Sequence, residues 1–243
     1  MTREDTFVMS LGELKRLEVI KFNGFFLLYI YIIIGNMKFS DLQKKMAQRL
    51  YFRPPDLHNG KIPYAHEIVQ LSRWAREGKV VRLRKGLYTL GAAERKGEVS
   101  TLSLAEPLYR PSYLSLEWAL SFYGILPEAV GTFTSVTSLK TARFQNALGL
   151  FTYRHLDPRF FFGQKHLNLP TPHWIARPEK ALLDFIHLCV PRSSPLTAEL
   201  FMEGYRFQNM NTLRKIHLKK FLQGFTPPRV QEGGKVILSL IHD

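Results

Sequence analysis

Six polar side chains lie close together early in the chain and could read a polyanion. His66, Gln70 and Arg73 recur at roughly helical spacing, and Arg82, Arg84 and Lys85 follow within the next twelve residues. On a helix at 100° per residue, His66, Gln70, Arg73 and Glu77 fall opposite Ile68, Leu71 and Ala75, with Trp74 at the margin. A helix lying in the major groove of DNA needs a polar face whose donors reach base edges, and Arg, Gln and His qualify. A basic hairpin beside it needs only phosphates or a minor groove. Gln70 and Arg73 are therefore the expected base contacts, with His66 beside them. Arg82, Arg84 and Lys85 are the expected contacts to the backbone or minor groove.

The surrounding sequence must position these groups. Phe39-Ser40-Asp41-Leu42-Gln43 opens a helix in which Ser40 is the expected N-cap and Gln43 completes a capping box. Leu42, Met46 and Leu50 repeat at helical spacing. Arg53-Pro54-Pro55-Asp56-Leu57 breaks that helix and can open a short second one, and His58-Asn59-Gly60-Lys61 signals a turn. A third helix is expected from about Pro63 to Glu77, closed by Gly78. Val80-Val81-Arg82-Leu83 and Leu87-Tyr88-Thr89-Leu90 then read as two strands around the turn Arg84-Lys85-Gly86. Helix, short helix, helix and hairpin is the element order of a winged helix. Trp74 and Tyr88 are expected in its core rather than on a nucleic acid.

The charge distribution agrees. The formal net charge is +14, which speaks to partners rather than fold. Residues 1–36 hold four basic and four acidic residues, residues 37–91 twelve and four, and residues 92–243 eighteen and twelve. Most of the excess sits on the smaller of the two ordered parts, as an electrostatic footprint on a compact module would.

Downstream of a polar stretch around Glu94–Glu98, four blocks stand out. Ser115-Leu116-Glu117-Trp118-Ala119-Leu120 can form a short helix capped by Ser115 and closed by Gly124. Thr132–Ser138 is strand-like. Arg143–Asn146 and Leu150–His155 flank Ala147-Leu148-Gly149 as a hairpin. Pro178 suits the first position of a helix through Asp184, and Glu179 suits its positive end. Further helices are expected at Thr197–Glu203 and Leu213–Gln223.

The stretch from Leu71 through Trp74, Gly78, Arg82 and Gly86 to Tyr88 resembles the winged helix of the AbiEi antitoxins, the antitoxin half of type IV abortive-infection toxin–antitoxin pairs. The four downstream blocks, in the same order, extend the resemblance over roughly residues 38–190. The resemblance implies a division of labour. The winged helix would bind repeats in its own promoter and repress the operon. The C-terminal region would counteract a toxin similar to nucleotidyltransferases, without a stable complex between the two proteins. The segment before Met37 has no counterpart in the family, and the loop at His58–Ile62 is less typical of it.

Other chemistries find less support. No Walker loop, dinucleotide fingerprint, zinc-protease helix or nucleophile elbow occurs. A metal-dependent nuclease could draw on Asp157, Glu179, Lys180 and Asp184, but Glu179 and Lys180 are neighbours on one helix and diverge by about 100°. His166 and His173 are seven residues apart in a proline-containing segment, and His155 suits a structural hydrogen bond. The single cysteine, Cys189, lies in an apolar run and reads as a small buried residue, consistent with a cytoplasmic protein. The apolar run Phe25–Ile34 spans about 15 Å as a helix, roughly half a bilayer core, so it is not a convincing transmembrane helix; a membrane-surface protein using this run with the basic charge is a third reading, and the preferred one has no membrane partner.

The resulting expectation is an α+β chain: an N-terminal winged helix-turn-helix followed by a mixed α/β C-terminal domain. Residues 1–36 read as an extension, 37–91 as the DNA-binding module, 92–99 as a linker and 100–243 as the second domain. No cofactor, metal or catalytic residue is expected. The partner is double-stranded DNA, and a solitary regulator without a toxin is the alternative to the antitoxin.

Overall fold

A computed structural model of the chain describes residues 37–46, 49–58, 64–95, 100–168 and 172–241. The apolar run Phe25–Ile34 and most of the His58–Ile62 loop lie outside these residues. The fold is mixed α+β. No helix among the described residues is long and apolar enough to cross a membrane.

The first elements follow the expected order. They are α1 (Phe39–Met46), α2 (Pro54–Leu57), α3 (Tyr64–Arg76), β1 (Val80–Arg84) and β2 (Leu87–Leu90). Ser40 lies inside α1 rather than capping it, and the Gln43 side chain donates to Glu94, 2.8 Å away, instead of closing a capping box. Leu42 and Met46 are buried with Phe52, Leu57, Leu71, Trp74, Val80, Tyr88 and Leu90 in one cluster. A fully buried side chain of this size contributes about 1.5–3 kcal/mol, and this cluster is what packs the helices on the hairpin. Phe52 and Tyr88 exchange two backbone hydrogen bonds of 2.8 and 2.9 Å, which adds a one-residue third strand to the hairpin. Gly78 and Gly86 adopt positive φ, ending α3 and turning the hairpin respectively.

The remainder contains a six-stranded sheet. In chain order the elements are α4 (Leu102–Leu108), β3 (Ser112–Leu114), α5 (Leu116–Phe122), β4 (Thr132–Thr137), β5 (Ala142–Asn146), β6 (Gly149–His155), β7 (Gln164–Leu167), β8 (His173–Ala176), α6 (Pro178–Leu188), α7 (Lys215–Gly224) and α8 (Pro228–Leu240). The spatial order is β5-β6-β4-β3-β8-β7, with β5 and β7 at the edges. Strand alternation splits the side chains between two layers. Tyr153 points to α4, where its hydroxyl donates to the Ala105 carbonyl, whereas Tyr113 points to α6 and meets Lys180 and Asp184.

Sequence patterning anticipates the β4 strand, the β5–β6 hairpin and the Pro178 start of α6. Ser115 precedes α5 as expected, but its hydroxyl donates 2.8 Å to Asp184 rather than capping the helix. The expected helix at Thr197–Glu203 is largely a π-helical turn over Leu200–Gly204, and the last expected helix is α7. The pattern gives no sign of α8, because Gly233 and Gly234 interrupt it. Those two glycines let α8 approach its neighbours closely: a Cβ on Gly234 would stand 2.4 Å from a Leu222 methyl, and one on Gly233 3.0 Å from Ile186.

The hairpin bridges the two clusters of buried side chains. Val80, Tyr88 and Leu90 belong to the smaller one, while Leu83 and Leu87 at its far end belong to the larger one, with Phe144 packed against it. The Asn146 side-chain amide donates to the Leu83 carbonyl, 3.2 Å away, and fixes the tip of β1 beside edge strand β5.

A candidate nucleic-acid interface

Helix α3 offers one exposed stripe. His66, Val69, Arg73 and Arg76 recur at i, i+3, i+7 and i+10 and are all exposed, with Ser72 beside them. His66 and Arg73 therefore lie where the sequence places them. Gln70 does not. It is only 9% exposed and sits on the buried face with Glu67, Leu71 and Trp74, so it does not reach a ligand on the outer face. The reason is that Trp74, 3% exposed, lies well inside the packed face rather than at its margin, and Gln70 is about 40° from it round the helix. Glu67 is 2% exposed and lies 3.2 Å from Nδ1 of His58, which follows α2. Val69 is left 48% exposed instead. Apolarity alone puts Ile68 and Ala75 inside, and the structure leaves both half-buried. Arg76 and Val69 are the residues that sequence reasoning missed. Their signal was the same i, i+3, i+7, i+10 spacing, counted from His66.

The hairpin supplies the second part of the surface. Arg82 and Lys85 are exposed and Arg84 is half-buried. Register shifts between Arg82 and Arg84, so Arg82 faces Tyr88 while Arg84 faces Leu87 across the hairpin. This irregularity turns the two guanidinium groups away from simple strand alternation. Arg84 reaches back toward the large sheet, where its charge opposes the strong upward push that burial gives the Tyr153 phenol. Among the described residues, Arg82, Arg84 and Lys85 make no ion pair with a carboxylate. Trp74 and Tyr88 are buried, as expected, and so are not available for base stacking.

The groups considered for cleavage chemistry lie elsewhere. Lys180 and Asp184 are fully buried and paired with each other, and Asp184 also accepts from Tyr113 and Ser115. Burial raises the Asp184 carboxyl and lowers the Lys180 ammonium. Glu179 is buried and accepts the Arg214 backbone N–H at 2.8 Å. Asp157 is at the surface, where Arg159 holds its carboxyl down to about 2. The four groups do not converge on an accessible point. No cluster of three or more His, Cys, Asp or Glu suited to a metal occurs among the described residues. His166 packs against Trp174 with ring centres 5.0 Å apart, and His155 bonds the Leu139 carbonyl through Nδ1 at 2.8 Å. Cys189 is half-buried, and burial raises its thiol far above the ordinary range, so it is a poor nucleophile.

A scan against models of known protein families finds no match for this chain, and no curated protein sequence matches it.

Proposed function

We propose that this protein is a sequence-specific duplex-DNA-binding regulator whose N-terminal winged helix-turn-helix represses its own promoter. The observation that carries the reading is the pairing of an exposed, arginine-bearing helix face with an adjacent basic hairpin on one small core. His66, Arg73 and Arg76 would meet base edges, and Val69 could contact a thymine methyl. Arg82 and Lys85 would neutralise phosphates. The resemblance to the AbiEi antitoxins supports a further step: the region from residue 100 onward would counteract a nucleotidyltransferase-like toxin, without a lasting complex.

A gel-shift of the full chain on the DNA upstream of its own gene, with competitor DNA, tests the first step. Specific retardation is expected, and binding that generic competitor removes would contradict it. Co-expression with the neighbouring open reading frame tests the second. Rescue of growth is expected, and an innocuous neighbour would leave a solitary regulator.

A further inference from the structure

Hairpin β1–β2 does not project freely from the molecule. Its tip is seated beside β5, the edge strand of the six-stranded sheet, through Leu83, Leu87 and the Asn146–Leu83 hydrogen bond. Between tip and strand lies an open cleft of about 390 Å³. Arg82, Arg84 and Lys85 line one side, and Arg143 and Gln145 of β5 line the other. Among the described residues, no carboxylate lines it. The Nε–H of Arg84 is buried and has no hydrogen-bond acceptor among the described residues. Arg143 is exposed and makes no ion pair among the described residues.

Four cations held around one concavity repel each other, and a buried guanidinium donor without an acceptor is costly. The repulsion falls if an anion occupies the cleft; the Arg84 Nε–H, being buried, is not open to it. A guanidinium presents several N–H groups in a fixed fork that matches the oxygens of a phosphate. The two walls are joined by packed side chains and a hydrogen bond, so the site is formed before the ligand arrives.

We infer that this cleft is a phosphate site that takes a backbone phosphate of the bound duplex, so that Arg143 of the large sheet is part of the DNA interface. This rests on the DNA-binding reading above and extends it across the boundary between the hairpin and the sheet. The sheet then fixes where the hairpin meets the duplex, and Arg143 contributes affinity without reading sequence.

The test is fluorescence anisotropy of the full chain on a labelled duplex from upstream of its gene and on a scrambled duplex of equal length, over a range of salt. One phosphate contact contributes about 0.9 to the slope of log K against log salt. Arg143→Gln should lower the slope by about that amount on both duplexes. Its affinity deficit should be about eightfold greater at 0.1 M salt than at 1 M. Arg143→Lys should keep most of the slope, Arg143→Glu should lose more than Arg143→Gln, and Lys219→Gln on α7 should match the wild type. An unchanged slope for Arg143→Gln, while the wild type binds, overturns this inference and leaves the winged-helix reading intact. A loss of affinity without a change of slope overturns it too, because a structural role would do that. Absence of wild-type binding to either duplex overturns the functional reading, and this inference with it.

Discussion

The side-chain amide of Asn146 donates to the main-chain carbonyl of Leu83 across 3.2 Å, joining the edge of the large sheet to the tip of the basic hairpin. The same side chain accepts the Leu148 N–H at 2.8 Å, so one residue shapes the β5–β6 turn and anchors the hairpin. Asn146→Ala leaves both partners without their bonds. The expected loss is about 1–2 kcal/mol, measured by urea denaturation. Amide exchange should also quicken at Leu83 and Leu87 more than at Leu42 and Leu71. Uniform quickening would mean that the contact does not anchor the tip.

Lys180 and Asp184 form a fully buried pair one helical turn apart, and the Lys180 ammonium lies 4.7 Å from the ring centre of Phe225 and 5.2 Å from that of Phe162. Removing one partner strands the other in the core. Lys180→Met should cost about 3–5 kcal/mol in urea denaturation. Adding Asp184→Asn should recover part of that loss, so the double variant is more stable than the two single changes predict. Additive losses would show that the pair is not coupled.

Gly91 closes the hairpin against the end of α3. Its N–H donates to the Lys79 carbonyl at 2.7 Å, and a Cβ there would stand 2.1 Å from the Gly78 carbonyl oxygen. That neighbour is backbone and cannot swing aside. Gly91→Ala should therefore cost about 1–3 kcal/mol by overpacking and weaken the proposed DNA binding through displacement of the hairpin. Wild-type stability in the thermal melt would refute the contact.

His187 is half-buried against Phe160 and Phe225, and burial lowers its pKa. Lys180 and Arg192 push in the same direction, while Asp184 and Asp157 oppose them. A depressed folded-state pKa means that the unfolded chain takes up the proton first as pH falls. The stability tied to His187 is thus present above its unfolded value near 6.5 and lost below it. Urea midpoints at pH 7.5 and pH 5 should differ less for His187→Gln than for the wild type. An equal difference would assign the acid sensitivity to other groups.

Much of this architecture is legible in the sequence where local signals are strong. Pro178, Gly78, Gly86 and the threonine-rich run of β4 mark their boundaries by backbone chemistry, which tertiary packing seldom overrides. The failures share a cause. Gln70 is buried because the core takes in Trp74, about 40° away round the helix, and periodicity does not say which apolar residue the tertiary packing centres on. Ser115 forgoes the helix cap because its hydroxyl is turned to Asp184, and Thr134 of β4 accepts the Trp118 N–H in its place, both partners distant in sequence. Helix α8 is hidden because Gly233 and Gly234 suit close packing rather than helix propensity. For the candidate interface, the basic residues of the hairpin stand out by composition, but Arg143 joins them only through the pairing of β5 with the sheet.

The proposed recognition of a DNA sequence by the outer face of α3 stands or falls with Arg73. The measurement is the affinity of the full chain and of its Arg73→Ala variant for the upstream duplex and for a scrambled duplex, at fixed salt. The wild type should prefer the upstream duplex, and Arg73→Ala should lose about 1–3 kcal/mol of that preference while keeping most of its affinity for the scrambled duplex. Equal affinity of the wild type for both duplexes, or a preference that Arg73→Ala leaves untouched, would rule out sequence recognition by α3.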